Sequence, residues 1–387
     1  MSSPAARLEP LDLVRLLIGF DTTSRGTNLP LIDFAQELLE AAGARCRRTF
    51  DAARQKANLF ATLGPDTGGG YVLSGHTDVV PVDGQEWSSD PFHAVVRDNR
   101  LFGRGTCDMK SFIGVALSLL PEIARATLKR PIHFALSYDE EVGCAGVPNL
   151  LEDLRVAGIA PALAIIGEPT DMRVVGAHKS GAVLHTHCHG REGHSSAPEK
   201  GANAVMMAGE FIKLLDDVWT DLRADTDPRF DPPHTTVQAN MISGGSAVNI
   251  LGRDALVTWE YRALPDRDPS KLVDLIRRRT DGELLPKYRA RAAEARFETA
   301  LRASYPGLVL DEASPAIALA REITGANQVD TVAYGTEAGH FQHFGIPAVI
   351  CGPGSIDQAH KADEFVALPQ LGACETFLRK VIAKAEA

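Results

Sequence analysis

The sequence predicts an α/β fold: a mostly parallel sheet covered by helices, split by an inserted α+β domain. Three observations predict it. Short apolar, β-branched segments alternate with helical patterns in the first and last parts of the chain. The middle changes character, to longer alternating strands around one strongly amphipathic helix. Four of the short segments run directly into His, Asp or Glu.

The first segment opens with two helical patterns, Leu11, Val14 and Leu17 over 9–19, then Leu31, Phe34, Leu38 and Leu39 over 31–43. Strands are predicted at 58–63, 71–74, 132–137, 162–166 and, near the end of the chain, 348–351, each bounded by turn or polar residues. Helices are predicted between them at 109–124 and 147–154. In the middle, 181–190 alternates like a half-exposed strand. The stretch 202–219 carries Val205, Met206, Ala208, Phe211, Ile212, Leu215 and Val218 at helical spacing. Strands at 235–242 and 255–264 and a helix at 269–279 follow. The expected organisation is an α/β domain in two segments, 1–178 and 296–387, separated by an insertion over 179–295.

Composition narrows the function classes. With 387 residues, 44% apolar and 23% charged, the chain is long enough for more than one core and ordinary for a soluble protein. No run approaches the ~18 apolar residues of a membrane span, and the N-terminus lacks a basic start followed by an apolar block. A net charge of −10 disfavours non-specific nucleic-acid binding. Six scattered cysteines without a CxxC pair read as reduced thiols of a cytoplasmic protein.

The chemistry sits at the strand ends. The strand at 71–74 runs into His76 and Asp78, that at 132–137 into Asp139, Glu140 and Glu141, and that at 162–166 into Glu168. The strand at 348–351 leads through a Gly/Pro loop to His360, and Asp108 precedes a predicted helix. Ligands bind beyond the carboxyl ends of strands in open α/β sheets. Singly, each residue has an ordinary reading: a turn, a solvated acidic loop, or, for Asp108, a helix N-cap. Jointly they describe two His and several carboxylates converging, which suits a dinuclear site with zinc-like ligands and one bridging carboxylate. Close carboxylates repel strongly without cations. Asp78 is spaced to hydrogen-bond the second ring nitrogen of His76, and Glu140 beside Glu141 leaves one carboxylate for metal and one for proton transfer.

The segments SGHTDVVPVDGQEWSSDPF, RLFGRGTCDMKS, SYDEEVGCAGV, IIGEPT, GREGHSSAPEKGANAV, YGTEAGHF and GPGSIDQAHKADEFV occur in order over about 9–380. Together they resemble the family of dinuclear zinc peptidases and deacylases that includes succinyl-diaminopimelate desuccinylase, aminoacylase and glutamate carboxypeptidase. YGTEA and GPGSIDQAH are most similar to its acetylornithine deacetylase branch. The resemblance implies a zinc-peptidase-like catalytic domain, with 179–295 as a dimerisation lid that makes a homodimer. It implies two Zn²⁺ per subunit, with Co²⁺ able to replace one or both. His76 and Glu168 would hold one ion, Glu141 and His360 the other, and Asp108 would bridge. Glu140 would be the general acid/base and Asp78 would orient His76. His194 would reach the partner subunit's site and polarise the scissile carbonyl. Arg262 and Asn249 would bind the substrate carboxylate, while Gly335, Thr336 and Glu337 line the pocket, Glu337 being placed to meet a cationic side chain. A cis peptide at Asp108–Met109 is also implied. Ser111 departs from the family's usual glycine and puts the local backbone in doubt.

The activity these readings imply is metal-dependent hydrolysis of an N-acyl amino acid, N-acetylornithine first, a step of arginine biosynthesis. Aminoacylase, desuccinylase or dipeptidase activity is the alternative within the family, and a silent dimeric binding protein the alternative of another class. A binding module needs no proton shuttle, so the presence of Glu140 beside a full ligand set disfavours the last. There is no HExxH and no Walker motif, and Gly68–Gly70 precede a strand instead of following one. His185, His187 and His189 alternate on one strand face without an accompanying carboxylate, and read as a solvated face and not as a metal site.

Overall fold

The computed structural model describes residues 9–387; the extreme N-terminus read above for a leader lies outside them. In chain order the strands are β1 (Arg45–Phe50), β2 (Ala57–Leu63), β3 (Tyr71–His76), β4 (Val95–Arg97), β5 (Arg100–Phe102), β6 (Ile132–Ser137), β7 (Leu163–Pro169), β8 (Val175–His178), β9 (Ser180–His189), β10 (Thr236–Gly244), β11 (Asp254–Ala263), β12 (Arg296–Tyr305), β13 (Asp330–Val332), β14 (Ala348–Gly352) and β15 (Phe365–Ala367). The longer helices are α1 (Pro10–Ile18), α2 (Leu29–Ala41), α3 (Lys110–Ser118), α4 (Val147–Ala157), α5 (Ala204–Leu222), α6 (Pro269–Arg279), α7 (Pro315–Thr324) and α8 (Leu368–Glu386). The described chain divides into two compact units, one of residues 9–177, 310–330 and 336–387, the other of 178–309 and 331–335.

The first unit is built on an eight-stranded sheet in the order β1-β2-β6-β3-β7-β14-β8-β13. Its central strands β6, β3, β7 and β14 run parallel, while β1, β2 and β8 pair antiparallel at the flanks. Strands β2, β3, β6, β7 and β14 are buried along their whole length, which is why they read as unbroken apolar runs. Every residue of α3 is buried as well. It crosses α1 so closely that a Cβ on Gly114 would lie 2.6 Å from Val14 Cγ2 and 3.0 Å from its backbone nitrogen. A short separate sheet, β15-β5-β4, lies in the same unit.

The second unit is a four-stranded antiparallel sheet, β10-β11-β9-β12. Ala182, Leu184 and Cys188 of β9 join Val257 and Trp259 of β11 and Met207, Phe211 and Leu215 of α5 in its core. His185, His187 and His189 alternate with them, half-buried, on the opposite face. His189 sits between Asp254 (2.8 Å) and Glu298 (3.2 Å), and Arg302 donates to His185. Flanking strands thus supply His189 with the carboxylate hydrogen-bond partners absent from β9 itself.

The segment expected at 296–387 needs correction at its start, and residues 331–335 within it also cluster with the second unit. Residues 296–309 belong to the inserted unit, because β12 pairs with β9 along nearly its whole length. The sequence hides this: β12 is an edge strand, mostly exposed and without an apolar period.

All six cysteines are free, and only Cys46 is more than marginally exposed. Burial pushes the thiols up, to about 11 at Cys46 and about 12 at Cys188 and Cys351.

Gly114→Val should force α1 and α3 apart and lower stability by about 1–3 kcal/mol. The check is the denaturation midpoint, read at an unchanged slope; an unaltered midpoint would mean the crossing is loose.

Candidate metal centre

Parallel pairing of β6, β3, β7 and β14 puts their carboxyl ends on one edge of the sheet. That edge carries His76 at the end of β3, Glu140 and Glu141 just after β6, and Glu168 near the end of β7. His360 follows β14 by a short loop, and Asp108 comes from the loop between β5 and α3. Close packing sets the height of Glu168, since a Cβ on Gly167 would fall 2.0 Å from the Phe112 ring. The Asp108–Met109 peptide is cis. Ser111 fits the loop it follows, its hydroxyl donating to the Thr106 carbonyl.

Asp108 stands between two groups of donors. Its Oδ1 lies 2.9 Å from His76 Nε2, and Glu168 Oε1 lies 3.7 Å from the same nitrogen. Its Oδ2 lies 3.5 Å from His360 Nε2, which is 3.0 Å from Glu141 Oε2. His76–Asp108–Glu168 and Asp108–Glu141–His360 each offer ligand atoms within 4.8 Å of one another. The first group is buried, whereas the His360 side chain is 57% exposed.

Asp78 orients His76 differently from the sequence-based expectation. The His76 Nδ1 hydrogen bond, 2.9 Å, goes to the main-chain carbonyl of Asp78, and the carboxylate is 3.7 Å away. That bond assigns the proton to Nδ1 and turns Nε2 toward Asp108. The carboxylate instead accepts from the backbone N–H of Glu140 (3.0 Å) and Glu141 (3.3 Å) and from Ser24 Oγ (2.7 Å). The tight turn after Glu140 brings Cys144 Sγ back to 3.4 Å from Glu140 Oε1. Lys56 pairs with Asp139 at 2.5 Å, so the first acid of that run is neutralised away from the centre. Ser24, Cys144 and Lys56 carried no signal in the sequence, because they act on the site only through the fold.

The electrostatics test whether cations fit. Burial, with Asp108 nearby, pushes Glu141 up to about 7, and burial also raises Glu140 and Glu168 well above the usual range. Burial alone would raise Asp108 too, but hydrogen bonds from His360 and His76 hold it below its ordinary value. Hydrogen bonds to Asp108 and Glu141 lift His360 to about 10. Glu141 Oε1 is buried without a hydrogen-bond partner. Packed carboxylates that resist ionisation, an orphaned buried oxygen and two imidazoles turned on one shared carboxylate fit a pair of divalent cations.

The other expected residues are distributed between the units. Glu337 and Thr336 are buried in the first unit, Thr336 Oγ1 accepting from Ala338 N. Burial pushes Glu337 up to about 7, with Ser137 and Ser74 beside it. Its carboxyl therefore does not face solvent as a ready partner for a cation. In the second unit, exposed His194 accepts from Ser196 at Nδ1, and Ser195 N donates to Asn249 O, so these two loops are joined. Arg262 donates to Tyr305 Oη at 3.0 Å and reaches Glu260 at 3.4 Å. Gly335 packs on the same tyrosine, where a Cβ would come within 2.0 Å of the ring. Tyr305 is thus common to both, and it lies on the strand the sequence did not reveal.

The model of peptidase family M20/M25/M40 matches residues 72–384. Acetylornithine deacetylase of Myxococcus xanthus is 37% identical over 377 residues, 95% of each chain. Two solved structures share the fold. A tripeptidase from Staphylococcus aureus is 20% identical, covers 98% of both chains and has a TM-score of 0.76. The M20 family metallo-carboxypeptidase Sso-CP2 from Sulfolobus solfataricus is 16% identical, covers 98% of this chain and 99% of its own, and has a TM-score of 0.75. With a match that takes in Asp108 and all four residues grouped around it, His76, Glu141, Glu168 and His360, the chain belongs to peptidase family M20/M25/M40.

Proposed function

We propose that this protein hydrolyses N-acetylornithine to ornithine and acetate, using two divalent cations. The observation that carries the reading is the Asp108 carboxylate shared by two donor groups, in a chain similar from end to end to an acetylornithine deacetylase. His76, Glu168 and Asp108 would hold one ion, and Glu141, His360 and Asp108 the other. The mixed nitrogen and oxygen donors suit zinc, with cobalt as a replacement. The chemistry such ions supply when bound is polarisation of a carbonyl and acidification of water.

The chain's own groups supply the rest. Glu140 takes a proton from the attacking water as its oxygen bonds the amide carbon. It returns that proton to the nitrogen as the carbon–nitrogen bond breaks. Burial raises this carboxyl above its usual range, which suits a group that must both accept and release a proton near neutrality. Asp78 holds it in place through the Glu140 N–H. A guanidinium can clamp a substrate carboxylate, and Arg262, oriented by Tyr305, is proposed for that role. Asn249, on the loop joined to that of His194, is proposed to donate to the same carboxylate. Gly335, Thr336 and Glu337 complete the proposed pocket.

We further propose a homodimer formed through the second unit, with the partner's His194 completing each site. Exposed Met241 (69%) and Ile242 (53%) on the edge strand β10 support an interface there. Placement in arginine biosynthesis, in the cytoplasm, follows from the same reading.

The experiment is a hydrolysis panel on zinc-loaded protein: N-acetylornithine, other N-acetyl amino acids, succinyl-diaminopimelate and dipeptides. N-acetylornithine should show the highest kcat/KM; a dipeptide in first place would reassign the substrate. Glu140→Gln should lower kcat by about 10²-fold or more while two metal equivalents remain bound. Retained turnover would remove Glu140 from proton transfer. Metal binding must also expel a proton from His360, whose imidazolium its carboxylate neighbours favour up to about pH 10. Affinity should therefore rise steadily from pH 6 to pH 8 in a chelator-competition titration, with proton release on binding.

A further inference from the structure

The proposed reaction leaves one buried ion pair unused. Arg104 and Glu364 are each 1% exposed and meet at 2.6 Å. Their position follows from the small sheet. Antiparallel register sets Phe365 of β15 opposite Phe102 of β5, so the next pair outward is Glu364 and Gly103, and Gly103 N donates to Glu364 O at 3.0 Å. The chain then turns sharply through Gly105, whose φ is +82°. That turn aims successive backbone N–H groups at the Glu364 carboxylate. Oε2 accepts from Gly105 N at 3.1 Å, and Oε1 accepts from Cys107 N at 2.8 Å and Asp108 N at 3.1 Å. One carboxylate therefore holds the loop that presents the shared Asp108.

The cation of the pair reaches the other loop. Arg104 Nη2 donates to Gln85 Oε1 at 2.7 Å, and Gln85 Nε2 donates to His360 O at 2.8 Å. Arg104 Nη1 approaches Lys361 O at 3.4 Å, and its guanidinium lies 5.1 Å from the Trp87 ring. Two of the three ligands of the outer group, Asp108 and His360, thus depend on one buried pair. His76 and Glu168, by contrast, lie on β3 and β7, where sheet pairing fixes them. His360 has no such support, standing on an exposed loop with φ +64°.

We infer that Glu364, with Arg104 as counter-ion and Gln85 as its link to His360, is a positioning residue for the Asp108–Glu141–His360 half of the metal centre. The inference rests on the two-cation reading above. The pair sets the spacing between the two loops, and that spacing determines how well the outer half holds its ion. Outer partners of metal ligands carry about 10–100-fold in metal affinity or activity, so loss of this clamp should weaken the ion held by Glu141 and His360 more than the other, which keeps two ligands on β3 and β7.

The test uses full-length protein loaded with zinc, compared with Glu364→Gln and Gln85→Ala. Glu364→Gln turns a donor toward Arg104 and Gly105. Gln85→Ala keeps both members of the buried pair and their contact, and removes the link to His360 together with the hydrogen bonds that Gln85 Oε1 accepts from Arg104 and Trp87, so it serves if the first variant fails to fold. Stepwise chelator competition should show one equivalent weakened tenfold or more in Glu364→Gln and several-fold in Gln85→Ala, in each case clearly more than the other equivalent. Excess zinc should restore kcat, with KM unchanged throughout. Equal weakening of both equivalents, or wild-type binding of both in the folded variants, would overturn the inference. A wild-type protein that binds fewer than two equivalents would instead defeat the two-cation reading.

Discussion

Everything at this centre depends on like charge gathered where water cannot screen it. Asp108, Glu140, Glu141 and Glu168 converge at one end of a buried sheet, and three of the four resist ionisation there. Asp108 alone is held charged, because two imidazoles face its two oxygens. A buried cluster of this kind is costly in any neutral protein. Its persistence makes sense when positive charge is delivered to it, and the shared carboxylate fixes where two such charges would sit. The surrounding polar contacts then read as geometry control.

That control is exerted mostly through backbone amides. The Asp78 carboxylate gathers the N–H groups of Glu140 and Glu141, while its own carbonyl sets the His76 ring. Glu364 does the equivalent for the loop leading to Asp108. In both cases an acidic side chain that is not itself one of the five ligands determines where a ligand's main chain runs. A side chain hung on a fixed backbone has few rotamers left to explore, which favours a preset geometry over one assembled on binding.

The central strands were legible in the sequence because each is buried on both faces and therefore apolar without interruption. The ligand positions are legible because polar residues close or follow those apolar runs: His76 ends β3, Glu141 comes just after β6, and Glu168 lies near the end of β7. What escaped lay where burial is partial. β12 is an edge strand, mostly exposed and with no regular apolar alternation, so the sequence gives no reason to place the unit boundary after it and no sign of Tyr305. β4, β5 and β15 have three residues each, too few for any period. The dual role of Asp78 could not be read from spacing, since side-chain and main-chain oxygens two residues from His76 are equally close in sequence. Arg104 and Glu364 looked like ordinary charged loop residues, 260 positions apart.

The thiol inventory has a practical side. Five cysteines are sealed in the interior, and the sixth, Cys46, is held in its protonated form well past neutral pH. Electrophiles that select for thiolate should pass the native molecule by. A single cysteine introduced on an exposed loop would then offer one addressable handle, so a fluorophore or spin probe could be attached without first stripping the natural sulfurs from the chain.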